Sequence, residues 1–280
     1  MTDPVTFEIV KHRLWQINDE QGIAIKTISA SPIVVEGNDF NVGLFTRDAE
    51  LVTAGIGSLV HVTTMGDALS SIIDGGESIE DGDIFMTNDP FLGALHQNDV
   101  VVASPLFRNE DIFMWIGNVL HHPDVGGCDA GSFCINARTL EDDPPRFFMK
   151  IVDRGEVVVE NEQAFVNNSR LPDAVALDLR AQIGAINVTR DRLNDLLDER
   201  GEGLVADVMS RSIDLAERQV RDFVHRLPDG EWTGEAYMDG VRVGDERICR
   251  VALKLICEGD TLRFDYTGTS VQVDAAVNST

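Results

Sequence analysis

Positive charge is scarce in this sequence: 23 Lys and Arg stand against 48 Asp and Glu, a formal net charge of -25. Such a surface repels phosphate backbones and anionic lipid, which excludes nucleic-acid or membrane binding driven by charge. No run approaches the roughly 18 consecutive apolar residues of a membrane span, and the N-terminus lacks a basic stretch followed by an apolar one. The chain therefore reads as cytoplasmic. Cysteine is sparse too. Cys128, Cys134, Cys249 and Cys257 show no CxxC spacing and read as reduced thiols. Neither a GxxxxGK[ST] loop nor a GxGxxG fingerprint occurs, so any ATP is bound elsewhere than on this chain. Ser132 lacks the strand, elbow and helix of a GxSxG hydrolase and reads as a loop residue.

What the sequence has is a concentration of histidine and aspartate among apolar runs. Thr87-Asn88-Asp89-Pro90, Gly93-Ala94-Leu95-His96-Gln97-Asn98-Asp99 and His121-His122-Pro123-Asp124-Val125-Gly126-Gly127 hold three of the six histidines. Between them, Val100–Phe107 and Ile112–Leu120 are split by Arg108-Asn109-Glu110-Asp111, the pattern of a buried β-hairpin. Antiparallel pairing across that turn brings His96, Asp99 and His121 together. Imidazole with carboxylate suits zinc, manganese or ferrous iron, and such a set leaves a position open for water or substrate. Alternation along a strand sends neighbouring side chains to opposite faces, which selects His121 over His122 as the ligand. The same residues also make ordinary turns and strand caps, so local pattern alone leaves both readings open.

The remaining elements indicate an α+β fold with mixed or antiparallel sheets, a long N-terminal helix and a central helical hairpin. Asp3-Pro4 is a helix start, and Phe7, Val10, Leu14 and Ile17 recur at helical spacing up to a stop before Ser31-Pro32. Ile33–Phe40 reads as a lead-in, with a polar loop, to a hairpin of Asn41–Thr46 and Glu50–Thr53, and Val62–Ile73 as a short helix. Beyond Gly127 the chain is irregular through Asp143-Pro144-Pro145. Two apolar stripes on either side of Gly201-Glu202-Gly203 predict paired helices, and short alternating strands follow Leu227-Pro228-Asp229-Gly230. Three regions are expected: an α+β metal-site region over 1–168, the helical hairpin over 169–228, and an antiparallel β region over 229–280 that continues into a part absent from this chain.

Asn88-Asp89-Pro90-Phe91-Leu92-Gly93, His96-x-x-Asp99 and His121-His122-x-Asp124-Val125-Gly126-Gly127 resemble the hydantoinase B family, as do Asp178–Gln182 and Phe264–Gly268. That family includes subunits of N-methylhydantoinase, 5-oxoprolinase, caprolactamase and acetone or acetophenone carboxylases. The resemblance implies that Asp39 is a further metal ligand beside His96, Asp99 and His121. It makes His61, ahead of Met65-Gly66, a substrate-facing or supporting residue, and Asn88 and Asp89 shapers of the ligand loop. His122 and Asp124 are expected to order the ligands or move protons. The implied activity is ATP-dependent ring opening of a cyclic amide, in which one divalent metal activates water toward a substrate phosphorylated by an A-type ATP-binding partner subunit. Ketone carboxylation, with the same metal holding an enolate, and a truncated non-catalytic scaffold are the alternatives.

Overall fold

The computed structural model describes residues 3–241 and 244–278; Ser279-Thr280, at the expected continuation of the β region, lies outside them. Helix α1 (Pro4–Ile28) starts where Asp3 accepts hydrogen bonds from the Val5 and Thr6 amides at 3.0 and 3.1 Å, with Pro4 at the first helical position. Ile33-Val34-Val35 does not extend. It forms one helical turn, α2 (Pro32–Val35), because the Ser31 hydroxyl caps Ile33 and Pro32 supplies the first helical φ.

Strands β1 (Phe40–Thr46), β2 (Leu51–Ala54), β3 (Ile84–Thr87), β4 (Asp99–Arg108), β5 (Asp111–His121), β6 (Phe148–Asp153) and β7 (Glu156–Val157) make one sheet in the order β2-β1-β5-β4-β3-β6-β7, every ladder antiparallel. The β4–β5 turn holds Asn109 and Glu110 at φ 52° and 72°, the left-handed pair that a two-residue hairpin turn of matching twist requires. β6 and β7, and α4 (Val159–Val166) after them, have no counterpart in the sequence reading; the β6 run is short and follows an irregular proline-rich stretch.

Helices cover both faces. Val100, Val102, Leu106, Met114 and Ile116 pack with α1 and α5 (Pro172–Arg200), whereas Val101, Ala103, Trp115 and Val119 pack under α3 (Leu59–Asp74). Over Asp99–Leu106 and Met114–His121 even-numbered residues thus face α5 and odd-numbered ones α3; the irregularity beside Leu106 reverses this at Ile112 and Phe113. Gly201 alone joins α5 to α6 (Glu202–His225), and α5 lies mainly along α1. β8 (Gly230–Met238), β9 (Cys249–Glu258) and β10 (Thr261–Asp265) form a second antiparallel sheet in the order β10-β9-β8. Among the described residues no helix is long and apolar enough to cross a membrane.

A chain of buried amides fastens α1 and α5 to the sheet. The Asn118 amide donates to Gln21 Oε1 at 3.0 Å and to the Gln182 carbonyl at 3.2 Å. Gln182 Nε2 donates to the Val100 carbonyl at 2.9 Å and to Asn118 Oδ1 at 3.0 Å. Gln182→Leu keeps the volume but leaves these buried partners unmatched, at a cost of about 3 kcal/mol. Urea unfolding should show that loss with an unchanged far-UV circular dichroism spectrum.

Candidate metal centre

Strand alternation decides which side chains meet. Asp99 and His121 are paired partners at the open end of the β4–β5 hairpin and belong to the odd-numbered series facing α3. His61 lies in the first turn of α3. Asp39 precedes β1, and its carbonyl accepts from the His121 amide at 3.0 Å. His96 is carried by the loop before β4, where the Asp99 amide donates back to the His96 carbonyl at 2.9 Å. Gly93 sets that loop against α3: its φ is 112°, and a Cβ there would lie 2.4 Å from the Ala68 nitrogen.

His121 Nδ1 lies 2.9 Å from Asp99 Oδ1, 3.2 Å from His96 Nε2 and 3.7 Å from Asp39 Oδ2. His96 Nε2 is 3.3 Å from Asp99 Oδ2. His61 bridges the two carboxylates, with Nε2 2.8 Å from Asp39 Oδ1 and Nδ1 3.6 Å from Asp99 Oδ2. His96, Asp99 and His121 each offer one ligand atom within 4.8 Å of the others. Asp99, His121 and His61 are buried, while the His96 and Asp39 side chains retain 25% and 39% exposure, so the centre opens on their side. Burial alone would raise the Asp99 pKa; hydrogen bonds from His121 and His96 and the nearby His96 and His61 rings outweigh it and hold the carboxyl well below its usual range.

This donor set fits a divalent cation. His121 Nδ1 can offer one proton at most, yet faces Asp99 Oδ1, His96 Nε2 and Asp39 Oδ2, so lone pairs converge in excess of protons. The buried His61 Nδ1 has no hydrogen-bond partner. Imidazole nitrogen and carboxylate oxygen in these proportions suit zinc, manganese or ferrous iron.

His122 and Asp124 do not join the cluster. His122 is in the even series and points under α5, fully buried, with Nε2 donating to Gln182 Oε1 at 3.0 Å and its ring edge-on to Phe165. Burial pushes its pKa down, against the Gln182 hydrogen bond, and keeps the imidazole neutral. Asp124 is bound by the Gly126 and Arg170 amides, each at 3.1 Å, the Gly131 amide at 2.9 Å and the Arg170 guanidinium at 3.1 Å. Of the two roles expected for these residues, ordering the ligands or moving protons, their positions accord with the first: His122 backs the strand that carries His121, and Asp124 pins the loop that follows it. Asn88 stitches the ligand loop, donating to the Gln97 and Pro145 carbonyls at 3.0 Å and accepting from the Phe147 amide at 2.6 Å. Asp89 caps the single turn Pro90–Leu92 through the Phe91 amide at 3.0 Å.

Two neighbours have no sequence signal. Phe133 stacks on His96 with ring centroids 4.9 Å apart and planes 11° from parallel; it lies in an irregular loop without periodicity. Asp143 accepts from Gln97, the residue after His96, at 3.4 Å. Burial first, and then the charge of Asp142, push its pKa up against the Gln97 hydrogen bond.

The family described as hydantoinase B/oxoprolinase matches this chain over residues 3–280. An uncharacterised protein of Methanocaldococcus jannaschii is 28% identical over 99% of the chain and 49% of its own length. The acetophenone carboxylase delta subunit of Aromatoleum aromaticum is 25% identical over 99% of the chain and 41% of its own. The crystal structure of an ATP-dependent caprolactamase from Pseudomonas jessenii superposes with a TM-score of 0.91 at 23% identity, covering 100% of this chain and 48% of that one, which shows a shared fold. The chain thus spans about half the length of these relatives or less.

Asp124 yields a pH test. Burial opposes its ionisation, but the Gly131, Arg170 and Gly126 amides and the Arg170 side chain leave its pKa lowered. A carboxyl depressed by folding stabilises above its unfolded pKa of about 3.9, and that stability is lost as pH falls through the folded value. Asp124→Asn should therefore be less stable than the wild type at neutral pH. The gap should narrow in urea unfolding at pH 3, and a gap independent of pH would refute the assignment.

Proposed function

This chain belongs to the hydantoinase B/oxoprolinase family, and from that premise we propose that it is the metal-holding portion of a subunit that opens cyclic amides in an ATP-dependent complex. The observation that carries the reading is the convergence of His96, Asp99 and His121 within 4.8 Å, with Asp39 beside them. A divalent cation held there supplies Lewis acidity, both to activate water and to polarise the electrophile.

The chain's own residues set up that chemistry. Asp99 stays ionised between the imidazoles and brings the anionic ligand. His61 holds Asp39 by a 2.8 Å hydrogen bond, which fixes the carboxylate at the open side. The buried His122 and Gln182 brace the ligand strand from its other face. An amide is a poor electrophile, and no nucleotide loop is present in this sequence, so activation by an A-type ATP-binding partner completes the scheme. The likeness to a caprolactamase subunit and to an acetophenone carboxylase subunit supports a substrate that carries a carbonyl oxygen. Ketone carboxylation is the second reading, favoured by the likeness to an acetophenone carboxylase subunit and by the fold shared with an acetone carboxylase.

Elemental analysis of the purified chain should find near-stoichiometric zinc, manganese or iron. His96→Ala and Asp99→Ala should each lose it with an unchanged circular dichroism spectrum; full occupancy in either variant would sink the ligand assignment. In the assembled complex, ATP-dependent turnover of cyclic amides without bicarbonate supports hydrolysis. Turnover of ketones only with bicarbonate would replace it by carboxylation.

A further inference from the structure

Phe133 is a large apolar side chain left 60% exposed. Single exposed hydrophobic residues are common, but this one lies parallel to a ligand ring, 4.9 Å from His96, and its centroid is 6.2 Å from that of His121. Its loop is fastened on both sides. The Gly131 amide donates to Asp124 at 2.9 Å, the Asn136 amide and side chain donate to Asp129 at 2.8 and 2.9 Å, and the adjacent Cys134 is buried. The ring is therefore held in place by polar ties, while its own burial contributes little. The exposure lies on the open side of the centre, where His96 and Asp39 retain their accessibility. The Phe133 ring lies parallel on the imidazole whose Nε2 faces His121 Nδ1 and Asp99 Oδ2 at 3.2 and 3.3 Å, so it covers the partly exposed side of that ligand, and its free surface is apolar.

We infer that Phe133 is the substrate-facing wall of the centre and favours ligands that carry a flat ring beside their metal-binding oxygen or nitrogen over open-chain ligands with the same donor. The inference rests on His96, Asp99 and His121 being the metal ligands. Contact with an aromatic wall adds about 0.5–1.5 kcal/mol beyond area burial, a preference of roughly two- to tenfold. A planar cyclic amide or imide gains this contact, and a small dialkyl ketone does not.

The test uses the cobalt(II)-loaded chain titrated with imidazole and with 4-phenylimidazole, followed in the cobalt absorption bands. The two probes share a donor and differ by one ring. The wild type should prefer 4-phenylimidazole by a ratio about two- to tenfold larger than Phe133→Ala does, with equal cobalt content, and Phe133→Tyr should restore the ratio. An unchanged ratio in Phe133→Ala overturns the inference. In the metal-free chain, the His96 ring protons should be shifted upfield by the stacked phenyl ring and return in Phe133→Ala. Unchanged His96 shifts overturn the placement of Phe133 whatever the metal does. The upfield shifts without cobalt uptake instead overturn the metal reading, and this inference with it.

Discussion

Everything at the candidate centre depends on the register of β4 against β5. With Asp99 paired to His121, both side chains face α3, where His61 meets them. A slip of one residue would turn β5 over and present His122 to Asp99 while burying His121 under α5. Apolar alternation cannot enforce the correct pairing, because Val100, Val101, Val102 and Ala103 are buried on both sides alike. The constraint comes from polar groups. Asn118 reaches Gln21 and Gln182 only from the even face, and the left-handed pair Asn109-Glu110 fixes where the hairpin turns. Buried amides that find partners in one register only make every other pairing costly.

The two faces carry different polar groups. Beneath α1 and α5 they are mostly neutral, Asn18, Gln21, Asn118, Gln182 and an uncharged His122, and the charged ones are spoken for: Asp178 accepts from the Ala30 and Ser31 amides and Arg190 donates to Ser104. Neutral amides in a dry interior stabilise when satisfied and bring no uncompensated charge. Beneath α3 the ionised Asp99 sits among His61, His96 and His121, close to Asp39, with too few protons to match the acceptors. A cation bound there relieves this mismatch, so its binding free energy adds to the stability of the folded chain. Apolar cores lie on both faces, so the polar cluster beneath α3 is set into a packed layer of its own.

The legible part of this structure is the part that local pattern controls. Asp3-Pro4 marks the start of α1, the apolar runs mark β4 and β5, and antiparallel pairing across Arg108–Asp111 is enough to bring His96, Asp99 and His121 together. His61 was reachable only through family resemblance, because its contacts with Asp39 and Asp99 form when α3 packs across the sheet, and helical spacing says nothing of that. The alternation rule that selects His121 also sends His122 away from the centre; adjacency in sequence is the opposite of adjacency on a strand face. Asp124 follows β5 and satisfies backbone amides, a turn residue's role. Phe133 and β6 were illegible for a common reason: both lie in or just beyond the irregular segment after Gly127, where no period records which side faces inward.

The donor atoms come from a short span of the chain. Asp39, His61, His96, Asp99 and His121 all lie within α3, the ends of the central strands and the loop between β3 and β4. Metal holding is therefore argued from contacts local to this chain, whatever the length of its relatives. Ligand choice stands differently. The inner side of the centre is closed by the sheet and α3, whereas the outer side is bounded by the partly exposed Asp39 and His96 and by Phe133. The caprolactamase structure, about twice as long, shares the fold that builds the inner side. Phe133, held by its loop against an imidazole of the centre, stands on that border beside Asp39 and His96.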